Sequence, residues 1–402
     1  MGNIGVEKHE PKQIDINSDT QPNRFLQWLK ANLFSSWLNT ALTILSIVIA
    51  YFIIKGSVYW IFVTAEWRVV ADNFKLFVVG QYPIDQLWRV WILLTYVSIM
   101  LGFSWGIWKS IVKPIALTIG IVMLVVGCLP FVEGMTRIWL GINIVILIAT
   151  YFVGAKFNKL KTLTLTGWFL LFPVSIFLLS GFGILPEVST SVWGGFLLTL
   201  LIALVAIVIS FPIGVLLALG RRSTLPIVKW FSILFIELVR GIPLITLLFI
   251  SQLMVPLFLG DGIEIDNVLR AMIGFIMFSA AYLAENVRGG LQAIPRGQFE
   301  AAQALGLNKT LMTSFIILPQ ALKIVIPPIV GLYIGIFKDT VLVTIVGLSD
   351  LLGISKKIIA NPQYLGTHMT AYVFVALVFL IFCYLMSYVS RKLEASLSVG
   401  KR

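Results

Sequence analysis

Glu237, Arg240, Glu285, Lys338 and Asp339 have the most capacity for chemistry, because each lies inside or close to a block of apolar residues. An unpaired charge at the centre of a bilayer costs roughly 2.5–3.5 kcal/mol, so such residues persist where they pair, face water or meet a ligand. Glu237 and Arg240 are three apart and share one helix face. They could pair with each other, or offer an anion and a cation to a ligand that carries both signs. Gly241 and Pro243 follow at once and predict a break in that helix, where freed backbone groups can coordinate a ligand. Glu285 stands three residues before Arg288, which suits a salt bridge near the end of a span. Lys338 and Asp339 are adjacent and point in different directions on a helix, so each needs its own partner, across a subunit interface for example. Tyr282 is placed to line a pathway, whereas Met277 and Phe278 suit packing.

Other chemistries find little support. Cys128 and Cys383 both fall in apolar blocks, and His9 and His368 are isolated, so neither a disulfide nor a metal site is expected. There are no paired catalytic carboxylates and no nucleophile motif, so the chain does not read as an enzyme. It also lacks a GxxxxGK[ST] phosphate loop; if ATP drives it, another subunit holds the nucleotide.

The elements that position these residues are membrane helices. Hydrophobic residues make up 59% of 402 positions and charged ones 12%, about half the soluble norm of roughly 25%. Apolar residues come in blocks of about 20, the length needed to span. Spans are predicted near 34–54, 91–108, 115–132, 138–154, 163–182, 193–219, 229–259, 268–287, 324–347 and 369–390, giving an all-α polytopic protein of about ten transmembrane helices. The formal charge of +12 does not form a nucleic-acid-binding stripe; Lys and Arg flank the spans instead. With the N-terminus inside, 20 of them lie in the inner loops and tails and eight, Arg89 among them, in outer loops. Both termini are therefore expected in the cytoplasm. The mixed-charge stretch 1–33 is too long for a signal h-region and reads as a cytoplasmic tail. Between 55 and 90, an external interfacial helix is expected, with Trp67 and Phe77 at headgroup level.

The character of the chain changes near 185. Before it, 34–185 holds about five spans almost free of ionisable residues, the pattern of helices that sit in lipid. After it, 186–392 carries the intramembrane charges, and 393–402 is a second cytoplasmic tail. No convincing internal repeat relates the halves, which weakens an ion-coupled secondary transporter of the inverted-repeat kind as the alternative reading. The inner loop 288–323 reads RGGLQAIPRGQFEAAQALGLNKTLMTSFIILPQALK. Pro295 and Gly297 break the chain, and a short helix over about 298–305 is ended by Gly306 as a left-handed cap. Asn308 caps a second helix from Lys309, with Pro319 marking its stop.

Glu300-Ala301-Ala302, Gly306, Ile316 and Leu318-Pro319 match, at every spacing, the EAA loop of ABC importer permeases, which this chain resembles. The segments Glu237–Leu244, Arg288–Pro295 and Lys338-Asp339-Thr340 are similar to the polar amino-acid subfamily (His/Glu/Gln/Arg/opine), and the extra N-terminal spans to the M-type subunit of general L-amino-acid permeases. The resemblance implies a five-helix type I permease core in a bacterial cytoplasmic (inner) membrane that imports L-amino acids. It implies that Glu300, Ala301, Ala302, Gly306 and Leu307 seat on an ATPase. On their residue chemistry, Glu237, Arg240, Gly241, Pro243, Tyr282, Glu285, Lys338 and Asp339 are the candidates for lining a substrate pathway, with structural pairing as the other reading of the charged ones. The implied partners are a second permease subunit, a paralogue by that family's habit, two ATPase subunits and an external amino-acid-binding protein. No cofactor is expected on this chain; Mg-ATP belongs to the ATPase.

Overall fold

A computed structural model describes residues 24–109, 111–157, 159–258 and 265–398. Backbone contacts divide the chain into two units, Met1–Ala65 and Glu66–Arg402. In the first, α1 (Arg24–Asn32) precedes α2 (Trp37–Tyr59), whose N-terminus is capped by the Ser36 hydroxyl accepting from Asn39 N at 3.2 Å. A π-helical turn, Trp60–Thr64, prolongs α2, so 57–64 extends the first span rather than starting an interfacial segment.

The second unit begins with the short helices α3 (Arg68–Asp72) and α4 (Phe74–Val79). Then come α5 (Leu87–Trp108), α6 (Lys113–Cys128), α7 (Gly134–Lys156) and α8 (Leu160–Ser180). The core follows: α9 (Gly195–Arg221), α10 (Pro226–Arg240), α11 (Leu244–Phe249), α12 (Val255–Phe258) and α13 (Asn267–Gln292). It is completed by α14 (Arg296–Ala304), α15 (Lys309–Met312), α16 (Leu318–Asp339), α17 (Leu351–Ile359) and α18 (His368–Ser398). Among the described residues there is no strand, only two isolated bridges.

Among the described residues, eight helices are long and apolar enough to cross a membrane, and a bent pair, α10 with α11–α12, allows a ninth. The remaining expected span, near 115–132, is the 16-residue α6. At 1.5 Å per residue it covers about 24 Å, short of a hydrocarbon core of about 30 Å.

The N-terminal helices do more than sit in lipid. Val79, Tyr82, Leu93, Leu171 and Leu179 share one buried apolar cluster with Leu198 and Ile202 of α9 and Phe275 of α13. Phe77 is 1% exposed and meets the Phe374 ring edge-on at 4.9 Å, so it is core rather than a headgroup anchor. Burying such a side chain stabilises by about 1.5–3 kcal/mol, enough to outweigh an interfacial position. Arg89, expected in an outer loop, is fully buried in the first turn of α5. Its Nη2 donates to Pro186 O at 2.7 Å, its Nη1 lies 3.4 Å from Leu178 O, and neighbouring Tyr82 donates to Leu179 O at 2.9 Å. A cation at the carbonyl end of α8 also suits the helix dipole.

Three glycines explain how closely these segments approach. A Cβ on Gly80, whose φ is +65°, would lie 2.5 Å from Gly194 Cα, and one on Gly195 would lie 2.5 Å from Phe77 O. Backbone bridges join Gly80 to Trp193 and Gly195 to Asp350. The turn after α4, the start of α9 and the entry to α17 therefore meet backbone to backbone.

Candidate functional site

α9 ends at Arg221, and Pro226 at the first position of α10 starts a helix that crosses that end of α9. α10 runs to Arg240, and α11 starts at Leu244 after a bend of 108°. Gly241 and Pro243 occupy that break as expected: Gly241 N still reaches Glu237 O at 2.9 Å, and Pro243 caps α11.

Helices α9, α10 and α13 bring five charges together. Glu237 Oε1 lies 2.9 Å from Arg221 Nη1. Glu285 Oε2 lies 3.4 Å from Arg240 Nη1 and 3.7 Å from Arg221 Nη1, while Arg288 grips both Glu285 oxygens through Nε and Nη2. Arg240 also lies 5.6 Å above the Tyr282 ring, which packs on Phe278 at 4.6 Å. Three guanidiniums against two carboxylates leave a surplus positive charge. The Glu285 side chain is 22% exposed and Glu237 54%, so the network is open on one side. An open cationic surplus beside a broken helix can take a carboxylate.

Glu285 and Arg288 pair as their spacing suggests. Glu237 and Arg240 do not pair with each other: the first reaches α9 and the second α13. Arg221 joins both acids and escaped sequence reasoning, which counted it only as an inner-loop cation. Its signal was weak, an arginine closing an apolar helix just before a proline-started one. Lys338 and Asp339 stand apart from this network at the end of α16, one exposed and one half-buried, with no ion pair among the described residues. Met277 and Phe278 pack against the buried Val239, Leu247 and Ala281.

The loop after α13 forms its two expected turns. Pro295 caps α14, and beyond Leu305 the chain enters Gly306 with φ +73°. Leu307 N reaches Ala302 O at 3.2 Å and Gly306 N reaches Gln303 O at 2.9 Å, the paired bonds of a Schellman cap. Asn308 Oδ1 accepts from Leu311 N at 2.9 Å and starts α15. Pro319 does not stop that helix. A π-helical turn, Thr313–Ile317, carries α15 into α16, where Pro319 sits in the first turn and lacks only an N–H that the turn can spare.

The loop has two faces. Ala302, Met312 and Ile317 are buried in one cluster with Leu217, Ile236, Leu283 and Ala284, and Leu307 packs against it. Glu300, Ala301, Leu305 and Gly306 are exposed. Leu305, just before the left-handed cap, is 78% exposed. Among the described residues no group could hold a metal ion.

Comparisons with known proteins identify the family. The family model described as the binding-protein-dependent transport system inner membrane component matches residues 210–399. The inner membrane amino-acid ABC transporter permease protein YhdY of Escherichia coli K12 is 37% identical, over 98% of this chain and 97% of its own. The glutamate/glutamine/aspartate/asparagine transport system permease protein BztC of Rhodobacter capsulatus is 38% identical over 94% of each chain. A crystal structure of an amino acid ABC transporter with histidines aligns with TM-score 0.46 and 26% identity, over 50% of this chain and 92% of that one. These relatives are ABC permeases and none is an ion-coupled carrier, so the inverted-repeat alternative falls away. At 37–38% identity over 94–98% of its length, the chain belongs to the amino-acid ABC transporter permeases.

Proposed function

We propose that this chain forms one transmembrane half of an importer that brings L-amino acids into the cytoplasm, at the expense of ATP hydrolysed by separate subunits. A second permease subunit completes the pathway, two ATPase subunits bind Mg-ATP on the cytoplasmic side, and an external solute-binding protein delivers the substrate. Both termini face the cytoplasm in this reading, on the strength of Lys and Arg placement. The chain itself binds no cofactor.

The observation that carries this reading is the two-faced loop. Glu300, Ala301, Leu305 and Gly306 are presented to a partner, while Ala302 is fixed in the packing of the transport helices. An ATPase seated on the outer face can thus pull on the core. Arg240 and Arg221 supply positive charge for the α-carboxylate common to all amino acids, with Glu237 and Glu285 holding the guanidiniums in place. The break at Gly241–Pro243 adds backbone groups. Lys338 and Asp339, at the end of α16 and apart from that network, would line another stretch of the pathway. BztC is named for four acidic and amide amino acids, and the cationic surplus here suits that class among others.

Proteoliposomes with the full complex, ATP inside and labelled glutamate, glutamine, arginine and leucine outside test the reading. Uptake that needs ATP and the binding protein is expected. Uptake driven by an ion gradient without ATP would refute it.

A further inference from the structure

We infer that the groove between α4 and α17 is a docking slot for a carboxylate-bearing surface loop of the solute-binding protein. This rests on the importer reading above, which places both helices on the external side. The groove encloses about 190 Å³ and is lined by Asn73, Gln81, Lys357, Asn361 and Tyr364 over an apolar floor that includes Ile358.

Its chemistry is that of a receptor for an acidic peptide. Lys356 and Lys357 are exposed in the last turn of α17, with no ion pair within 4 Å among the described residues. They are also the two external lysines that most oppose the positive-inside tendency, which calls for a local reason. Asn73 Nδ2 already donates to Val69 O and Asn361 Oδ1 already accepts from Gln363 N, but each amide, like that of Gln81, keeps a further donor and acceptor with which to bond a peptide backbone. A lipid headgroup would use the charges but has little need of three amides set around one cleft.

The slot is held rigid, as a docking site should be. Asp350, fully buried, caps α17 by accepting from Leu352 N at 3.2 Å and Gly353 N at 3.0 Å. Gly195 N donates to Ser349 O at 2.8 Å, and Leu351 N to Thr199 Oγ1 at 3.1 Å, so the helix is fastened to α9. Tyr364 donates to Asp72 at 3.3 Å and closes one end across the two walls. One wall, from 73 to 81, lies outside the stretch matched by the family model. The slot would thus let this permease select its own binding protein from among others that fit the shared core.

The test uses the complete complex in phosphatidylcholine nanodiscs, titrated with purified solute-binding protein while ATP hydrolysis is followed. In the double variant Lys356→Glu, Lys357→Glu, the half-maximal concentration should rise about tenfold with the maximal stimulated rate retained. Asn361→Ala should raise it about two- to fivefold. Between about 0.05 and 0.3 M salt the wild-type midpoint should climb, while that of the double variant should not. Wild-type stimulation with an indifferent double variant would overturn the docking slot. So would a loss seen equally in basal hydrolysis and dependent on added anionic lipid, which would assign the groove to headgroups. A wild-type complex that no binding protein stimulates is a different result, and would overturn the importer reading together with the slot.

Discussion

Replacing Gly306 separates a structural turn from a docking surface. The residue sits at φ +73°, where a side chain costs about 1 kcal/mol, yet no atom lies within 4 Å of the Cβ position. Gly306→Ala therefore strains the backbone without a clash. The free loop can relieve that strain by leaving the left-handed region, and docking must restore it. Association with the ATPase should weaken by up to about fivefold, which is what 1 kcal/mol allows. Gly306→Asp strains the turn less, because Asp tolerates this region better than Ala. A loss larger than that of Gly306→Ala must then come from the carboxylate meeting the partner. The permease should insert and melt normally in both variants, since the buried face at Ala302 and Met312 is untouched. ATPase retained on the purified permease, and substrate-stimulated hydrolysis, are the readouts. Wild-type values of both in Gly306→Asp would refute the assignment. A variant that fails to fold would instead make the turn structural.

Glu285→Gln leaves Arg221, Arg240 and Arg288 without their shared acid; uptake should fall at least tenfold, and thermal denaturation should show a loss of about 1–2 kcal/mol after allowance for partial exposure. Glu237→Gln should be partly compensated by Arg221→Gln, its contact at 2.9 Å, and not by Arg240→Gln; uptake in the two double variants decides between them. Gly80→Ala forces a Cβ to 2.5 Å from Gly194 Cα at a positive φ, so yield and melting temperature should report about 2–4 kcal/mol of destabilisation. Burial pushes the Asp350 carboxyl above the usual range, against the Thr344 hydroxyl, the α17 amides and nearby Lys356, which all favour ionisation. A raised folded pKa means that this group's contribution falls as pH rises from the unfolded value through the folded one, then levels. Asp350→Asn keeps an oxygen for the cap, so melting temperature near neutral pH should hold or rise, and the decline between acid and neutral pH should flatten.

Local chemistry was legible in the sequence, and tertiary pairing was not. Gly306, Asn308 and Pro295 declare their turns because capping is decided within a few residues of chain. Glu285 and Arg288 declare their pair because three residues is one helical turn. Glu237 misleads for the same reason: Arg240 is at helical spacing, but Arg221 at the end of α9 is nearer in space. Pro319 looks like a stop because a π-helical turn, which absorbs it, has no sequence signature of its own. The embedding of the N-terminal helices was hidden most deeply. It depends on Gly80, which in the sequence is only a loop glycine, on Gly194 and Gly195, which there only open a span, and on an arginine whose partners are carbonyls.

That embedding bears on how the proposed machine would move. The loop's buried residues Ala302, Met312 and Ile317 pack in one cluster with Leu217 of α9, Ile236 of α10 and Ala284 of α13. Leu217 lies one turn before Arg221, Ile236 adjoins Glu237, and Ala284 adjoins Glu285, so the apolar cluster and the ion network share the same three helices. Close-packed side chains transmit displacement, because they have no free volume in which to absorb it. A pull on the exposed face of the loop therefore reaches the arginines through a continuous path of contacts. At its other end α9 is fastened by backbone contact to the turn after α4 and to the entry of α17. The N-terminal helices would then act on the transport core as an anchor: they hold the Gly195 end of α9 while the loop moves the other end, which carries Arg221 and with it the charged groups.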